Sequence, residues 1–140
     1  MIENEQDNVV AMKADDPEML DAINQARQSL DSFIQALLNP KSNQTSFLLK
    51  VVFDDRDIQE NIWLADLDLA ATPPTGVVAN EPQTPGLVYM TRVSFSVGNV
   101  TDWMYLEDGF LVGGFTTRLL QSRERKSAGW KRFLPWSRNI

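Results

Sequence analysis

Three carboxylates, a phenol and a guanidinium fall close together in the second half of the chain and have the chemistry for acid–base catalysis. The carboxylates are Glu81, Asp102 and Glu107, and the other two groups belong to Tyr105 and Arg118. Two carboxylates can act as acid and base when burial separates their pKa values. If loops brought these side chains to one pocket, the chain would suit a carboxylate-based hydrolytic enzyme or a small-molecule-binding protein. This is the alternative interpretation of the sequence.

Two residue types that carry much of enzyme chemistry are missing from the chain. Its 140 residues include no histidine and no cysteine, which excludes a Ser-His-Asp triad, a cysteine nucleophile and a disulfide. No glycine-rich phosphate loop or DxDxDG calcium loop occurs either. The acidic loop at residues 54–57 is a conceivable cation site, although aspartates at a loop tip are more often simply solvated. We therefore expect no catalytic residue, no metal site and no cofactor.

A long amphipathic helix is predicted at the start of the folded region. Apolar residues recur at helical spacing between residues 20 and 37. An Asp-Pro pair at 16–17 is typical of a helix start, and an Asn-Pro pair at 39–40 ends the pattern. The sequence thus predicts one helix over residues 15–38 with its apolar side facing the core.

Short strands account for most of the chain after this helix. The predicted strands cover residues 47–53, 60–67, 75–79, 88–97, 103–106 and 110–112. Asp108-Gly109 is typical of a tight hairpin turn, and a short helix is expected to begin near Phe115. The connections are too short for parallel crossovers. The predicted fold class is α+β, with a long N-terminal helix packed on a twisted, partly barrel-like antiparallel sheet of five or six short strands and a short C-terminal helix.

The loop between the third and fourth predicted strands has a composition typical of a binding surface. Asn80-Glu81-Pro82 and Thr84-Pro85-Gly86 interrupt the chain twice within seven residues. Binding residues are often carried by loops that a rigid scaffold positions.

Charge is distributed unevenly along the chain. The net charge is −6, and residues 1–70 hold 14 of the 19 acidic but only 5 of the 13 basic residues. We expect a flexible acidic arm at 1–14, one domain at 15–122 and a basic aromatic tail at 123–140. The acidic balance argues against nucleic acid as the main partner and favours a protein with a basic surface.

Basic and aromatic residues alternate in the tail, which would also suit a nucleic acid or a membrane surface. The favoured interpretation is that the tail folds back on the acidic half of the chain. The acidic N-terminus is no secretory signal, and no apolar stretch is long enough to span a membrane. We therefore expect a cytoplasmic protein, of an oligomeric state that the sequence leaves open.

Several motifs within residues 15–122 resemble a bacterial family of uncharacterised proteins, the DUF2314 (YegJ-like) family. These motifs are a helix with Ala-Ile-x-x-Ala-Arg at 22–27, a strand with Lys50, Glu-x-Ile-Trp at 60–63, Gly-Val-Val-Ala-Asn-Glu-Pro at 76–82, and a run from Asp102-Trp103 through Asp108-Gly109 to Gly113-Gly114-Phe115-Thr116-x-Arg118. Asn61 stands where the family often has histidine, and Thr91-Arg92 replaces a usual Gly-Asp. The resemblance implies no known reaction, and by analogy with small immunity proteins it suggests binding to a toxin.

The favoured hypothesis is a non-enzymatic protein-binding module, such as an immunity-type protein that neutralises a toxin. Aromatic residues dominate the energetics of many interfaces, although tryptophans are also common in cores. The predicted binding residues are Trp63, Asn80, Glu81, Asp102, Trp103, Tyr105, Glu107 and Arg118.

Overall fold

The computed structural model describes residues 16–128, and it confirms an α+β chain with an antiparallel sheet. In chain order the elements are α1 (Pro17–Gln28), α2 (Leu30–Leu38), β1 (Gln44–Asp55), β2 (Ile58–Asp68), β3 (Thr75–Val78), β4 (Arg92–Ser94), β5 (Val100–Glu107), β6 (Phe110–Gly113) and α3 (Phe115–Ala128). No helix in this range is long and apolar enough to cross a membrane. The predicted arm at 1–14 and the tail beyond residue 128 lie outside the described residues.

The long N-terminal helix of the prediction is two helices that meet at Ser29. The start is as expected, because Oδ1 of Asp16 accepts a hydrogen bond from the Met19 N–H at 3.1 Å and Pro17 is the first helical residue. Ser29 has non-helical dihedral angles, and its hydroxyl donates to the carbonyl of Gln25 at 2.7 Å. Serine offers the backbone such local alternatives to a helix, and α2 therefore begins anew at Leu30.

The six strands form an open sheet in the order β4-β3-β2-β1-β5-β6. All strand pairs are antiparallel. The partly barrel-like closure of the prediction is absent from the described chain, because β4 and β6 lie at opposite edges and do not pair. Closure would need those two edges to meet.

The two faces of the sheet differ in chemistry. Leu49 on β1 lies opposite Leu64 on β2 and Trp103 on β5, and this row belongs to the core. The next row along β1 places Lys50 between Trp63 and Asp102. Because successive strand residues point to opposite faces, the second row lies on the face turned away from that core.

Aromatic side chains fill the core beneath α1 and α2. The Trp103 ring lies 5.6 Å from Phe33 and 5.9 Å from Tyr105, centroid to centroid. The Trp103 indole N–H donates to the Ala26 carbonyl of α1 at 3.1 Å. Trp103 is 4% exposed and Tyr105 8% exposed, so these two predicted contact residues are core residues of the described chain.

The strand predicted at 88–97 is much shorter than its alternating pattern indicates. Only Arg92–Ser94 pair with β3, and the preceding residues form a turn in which the Thr91 N–H donates to the Val88 carbonyl. Met90 has a positive φ of 72° and donates its N–H to the Val78 carbonyl at 2.9 Å. Such a backbone cannot continue an extended strand.

The closing helix α3 is longer than expected and continues past residue 122, the predicted end of the domain. Arg123 on α3 forms an ion pair with Asp16 at 2.9 Å and a second with Glu18 at 3.2 Å. The first residues of the predicted tail thus contact the acidic start of α1.

Gly113 allows the chain to turn from β6 into α3. Its φ is +82°, and an added Cβ would lie 2.5 Å from the Trp103 ring and from the Trp103 carbonyl oxygen. Gly109 in the hairpin turn has nearly the same φ of +81°, but nothing lies within 4 Å of an added Cβ. An alanine at Gly109 would therefore meet backbone strain alone, whereas an alanine at Gly113 would meet both strain and steric overlap.

We expect Gly113→Ala to lower the free energy of unfolding by about 3 kcal/mol or more, because strain and overpacking add. Gly109→Ala should cost only about 1 kcal/mol, which is the strain alone. Urea unfolding followed by tryptophan fluorescence measures both. Equal losses in the two variants would contradict the close approach of Gly113 to Trp103.

Candidate functional site

The carboxylate of Asp102 is fully buried and fully hydrogen-bonded. Oδ1 accepts from the backbone N–H of Trp103 at 2.8 Å and of Phe115 at 3.1 Å. Oδ2 accepts from the N–H of Thr116 at 2.9 Å and from its hydroxyl at 2.5 Å. Asp102 thus joins β5 to the start of α3, where the helix dipole also favours a negative charge.

Lys50 extends this network across the sheet. Its ammonium donates to the Thr116 hydroxyl oxygen at 2.7 Å and lies 5.4 Å from the centroid of the Trp63 ring. Burial lowers the pKa of Lys50 below its ordinary value of 10.5, and the nearby Asp102 carboxylate offsets part of that lowering. Thr116 therefore bridges the Lys50 amine and the buried Asp102 carboxylate.

The loop after β3 is held against β2 by side chains in place of a strand ladder. The Asn80 side-chain oxygen accepts from the Trp63 N–H at 2.7 Å, while the Ala79 N–H donates to the Trp63 carbonyl at 2.8 Å. Asn80 in this way continues the β2–β3 pairing beyond the end of β3.

Glu60 holds the next part of the same loop. One of its carboxylate oxygens accepts from the N–H groups of Gln83 and Thr84, each at 2.9 Å, and from the Thr84 hydroxyl at 2.7 Å. Thr84 is buried beneath the loop, whereas Glu81 and Gln83 are exposed. Residues 79–87, which we name the pinned loop, are thus held to β2 at Asn80, Gln83 and Thr84, and they expose the polar side chains of Glu81 and Gln83.

The predicted site residues separate into three places. Trp63, Asn80 and Glu81 come together at the pinned loop. Asp102, Trp103 and Tyr105 are buried. Glu107 accepts from the Gln44 side chain at the far end of β5, and Arg118 donates to the Leu111 carbonyl of β6 at 2.7 Å.

The three carboxylates of the enzymatic alternative do not converge. Asp102 and Glu107 are five residues apart on one strand, which corresponds to about 16 Å. Glu81 belongs to the pinned loop beside β2, and β1 separates β2 from β5 in the sheet. Asp102 is moreover enclosed by donors from the protein itself. No group of three or more Asp or Glu side chains within residues 16–128 is arranged to hold a metal ion.

Several residues of these hydrogen-bond networks are not among the binding residues predicted from the sequence. Glu60, Lys50 and Thr116 occur in the family motifs, but sequence spacing gives no indication that Glu60 contacts the loop or that Lys50 contacts Thr116. The exposed residues Val88, Tyr89 and Met90 fall within a predicted strand. Their exposed fractions are 58%, 46% and 66%.

Replacing the buried Asp102 carboxylate should lower the free energy of unfolding more than replacing a half-buried one. We expect Asp102→Asn to cost about 3–5 kcal/mol, because the amide turns a donor toward groups that need an acceptor and leaves Lys50 without its counter-charge. Glu107→Gln makes the same chemical change at a half-buried position and should cost about 0.5 kcal/mol or less. Chemical denaturation provides the test, and similar losses would contradict the anchoring role of Asp102.

Lys50 should make stability depend on pH. Its folded pKa lies below the unfolded value of about 10.5, so the unfolded chain binds more protons between the two values. The free energy of unfolding should therefore rise with pH in that window, and Lys50→Met should remove this part of the slope. Urea unfolding between about pH 7 and 10.5 tests it, and the comparison with Lys50→Met cancels the contribution of Tyr105, whose pKa burial raises.

Lys41→Met is the matched control, because Lys41 is exposed and should leave the slope unchanged. A wild-type slope equal to that of Lys50→Met would show that burial of this amine has no influence on stability.

Comparisons with known proteins identify the same family as the sequence motifs that contain Lys50, Glu60, Asn80, Asp102 and Thr116. The family model described as "Uncharacterized protein conserved in bacteria (DUF2314)" matches residues 16–130. The chain is 31% identical over 111 residues to "Uncharacterized protein YegJ" of Escherichia coli (strain K12), which covers 79% of this chain and 71% of that protein. No solved structure matches the chain significantly. The chain therefore belongs to the DUF2314 family.

Proposed function

We propose that this protein is a non-enzymatic module that binds another protein through the pinned loop. The observation that supports the proposal is the fixing of an exposed loop backbone by Glu60 and Asn80. A loop that is already ordered loses little conformational entropy when it binds, so more of the contact energy appears as affinity. Loops held in this way are also typical positions for binding residues.

The charge around the loop favours a partner with a basic surface. Glu81 is exposed on the loop, and the β1–β2 turn with exposed Asp54 and Asp57 lies a few residues from Glu60 along β2. With a net charge of −6, the whole chain would also accelerate encounter with a basic protein. An immunity-type protein that neutralises a basic toxin in the cytoplasm is one function of this kind.

The proposal is tested with the product of the gene next to the one that encodes this protein. The two proteins are co-expressed, purified through a tag on one of them, and their affinity is measured by calorimetry. We expect a complex that Glu81→Lys weakens at least about tenfold, since the substitution reverses a charge at the contact. Raising the salt concentration should weaken it too.

Asp31→Lys provides the matched control, because it makes the same charge change at an exposed position on α2. It should leave the affinity near the wild-type value apart from a small general effect of net charge. No complex with the neighbouring product, or equal losses in the two variants, would count against binding through the pinned loop.

A further inference from the structure

The segment that follows the pinned loop has almost no charge. Residues 88–101 include one charged residue, Arg92, in a chain of which 23% of residues are charged. Arg92 is itself neutralised, because it forms an ion pair with Asp66 at 2.6 Å and donates to the Thr75 hydroxyl at 2.9 Å. A long neutral segment is therefore exposed on an acidic protein.

This segment also contains an open edge of the sheet. Residues of β4 whose backbone groups face β3 alternate with residues whose groups face away. The Phe95 N–H donates inward to Pro74 and the Thr91 carbonyl accepts inward from Val78. By alternation, Arg92 and Ser94 direct their N–H and carbonyl groups outward, where no described strand pairs with them.

The opposite edge of the sheet is protected. The β5–β6 hairpin has a two-residue turn, and Glu107 pairs with Phe110 next to it, so the backbone groups of Leu111 face outward. The Leu111 carbonyl is occupied by the Arg118 guanidinium at 2.7 Å. A charged side chain that covers an edge strand is a common protection against pairing with another chain. Within residues 16–128 the β4 edge has no such cover, because the Arg92 side chain lies toward the sheet and contacts Asp66 and Thr75.

Apolar side chains lie beside the open edge. Val88, Tyr89 and Met90 are consecutive, and all three are exposed. Met90 is held in the left-handed region at φ 72°, which is rare for a bulky residue, and its N–H is bonded to Val78 next to the edge. Such backbone strain is found most often where it serves a binding function.

We infer that a second copy of this chain pairs with β4 and forms a symmetric dimer with one continuous sheet. A two-fold axis at Val93 places Arg92 of each copy opposite Ser94 of the other, so that the outward donors and acceptors satisfy one another. Two chains of net charge −6 repel each other, and a neutral segment lets them approach with little of that repulsion. In this antiparallel register Val88, Tyr89 and Met90 of each copy lie beside the residues that follow β4 in the other copy, among them the exposed Val97.

The inference is independent of the proposed function, since it concerns a different surface and needs no partner. The test is sedimentation equilibrium of the full-length protein alone. We expect the average mass to rise from one chain toward two between about 5 and about 500 µM, as for an interface smaller than the standard size. Raising the salt concentration should strengthen the dimer by screening the repulsion, whereas it should weaken a complex with a basic partner.

Two variants and a control locate the contact. Ser94→Pro removes an outward N–H that the sheet does not use, and Tyr89→Lys introduces a charge beside the edge. Each should raise the dimer dissociation constant at least tenfold, with folding verified by circular dichroism. Phe110→Lys, at a residue of β6 that is 75% exposed, should leave it unchanged. A protein that stays monomeric to about 500 µM, or a Phe110→Lys variant that dissociates equally, would overturn the inference.

Discussion

The buried Asp102 carboxylate is the constraint on which the C-terminal half of the fold depends. It accepts hydrogen bonds from three backbone N–H groups and one hydroxyl, so that β5 and the first residues of α3 share one acceptor. A buried charge is tolerated only when such donors and a counter-charge replace water. Lys50 supplies that counter-charge through Thr116, which explains why a lysine lies on the central strand β1.

The pinned loop is also positioned by side-chain oxygens that accept hydrogen bonds from backbone N–H groups. Asn80 and Glu60 accept from backbone N–H groups that have no strand partner, just as Asp102 accepts from those at the start of α3. Polar residues of the family motifs are thus used largely to complete the backbone hydrogen bonding of irregular segments, as buried backbone groups require. These motif residues act as scaffold, and side chains available for recognition are those that the scaffold leaves exposed, such as Glu81.

Sequence patterns predict the features that local chemistry decides and miss those that distant contacts decide. The Asp16-Pro17 helix start and the Asp108-Gly109 hairpin are predictable because caps and turns depend on neighbouring residues. Alternation indicates a strand over 88–97, yet the hydrogen bond from Met90 to Val78 ends it early. Trp103 and Tyr105 resemble interface residues by type, and only the packing of α1 and α2 determines that they are core. The pairing of Glu60 with Thr84 is invisible for the same reason.

The distribution of charge suggests how two kinds of contact coexist on a small domain. Glu81 is exposed on the pinned loop and Asp54 and Asp57 are exposed in the β1–β2 turn, so the proposed basic partner would gain from electrostatic attraction there. At the neighbouring β4 edge Arg92 is paired with Asp66, so this edge would give no advantage to a basic protein and would impose little repulsion on another acidic one. The loop and the edge are consecutive in sequence, and Val78 at the end of β3 is hydrogen-bonded to Met90 and Thr91 just before the edge. A partner at the loop and a second copy at the edge would then bind a common rigid support.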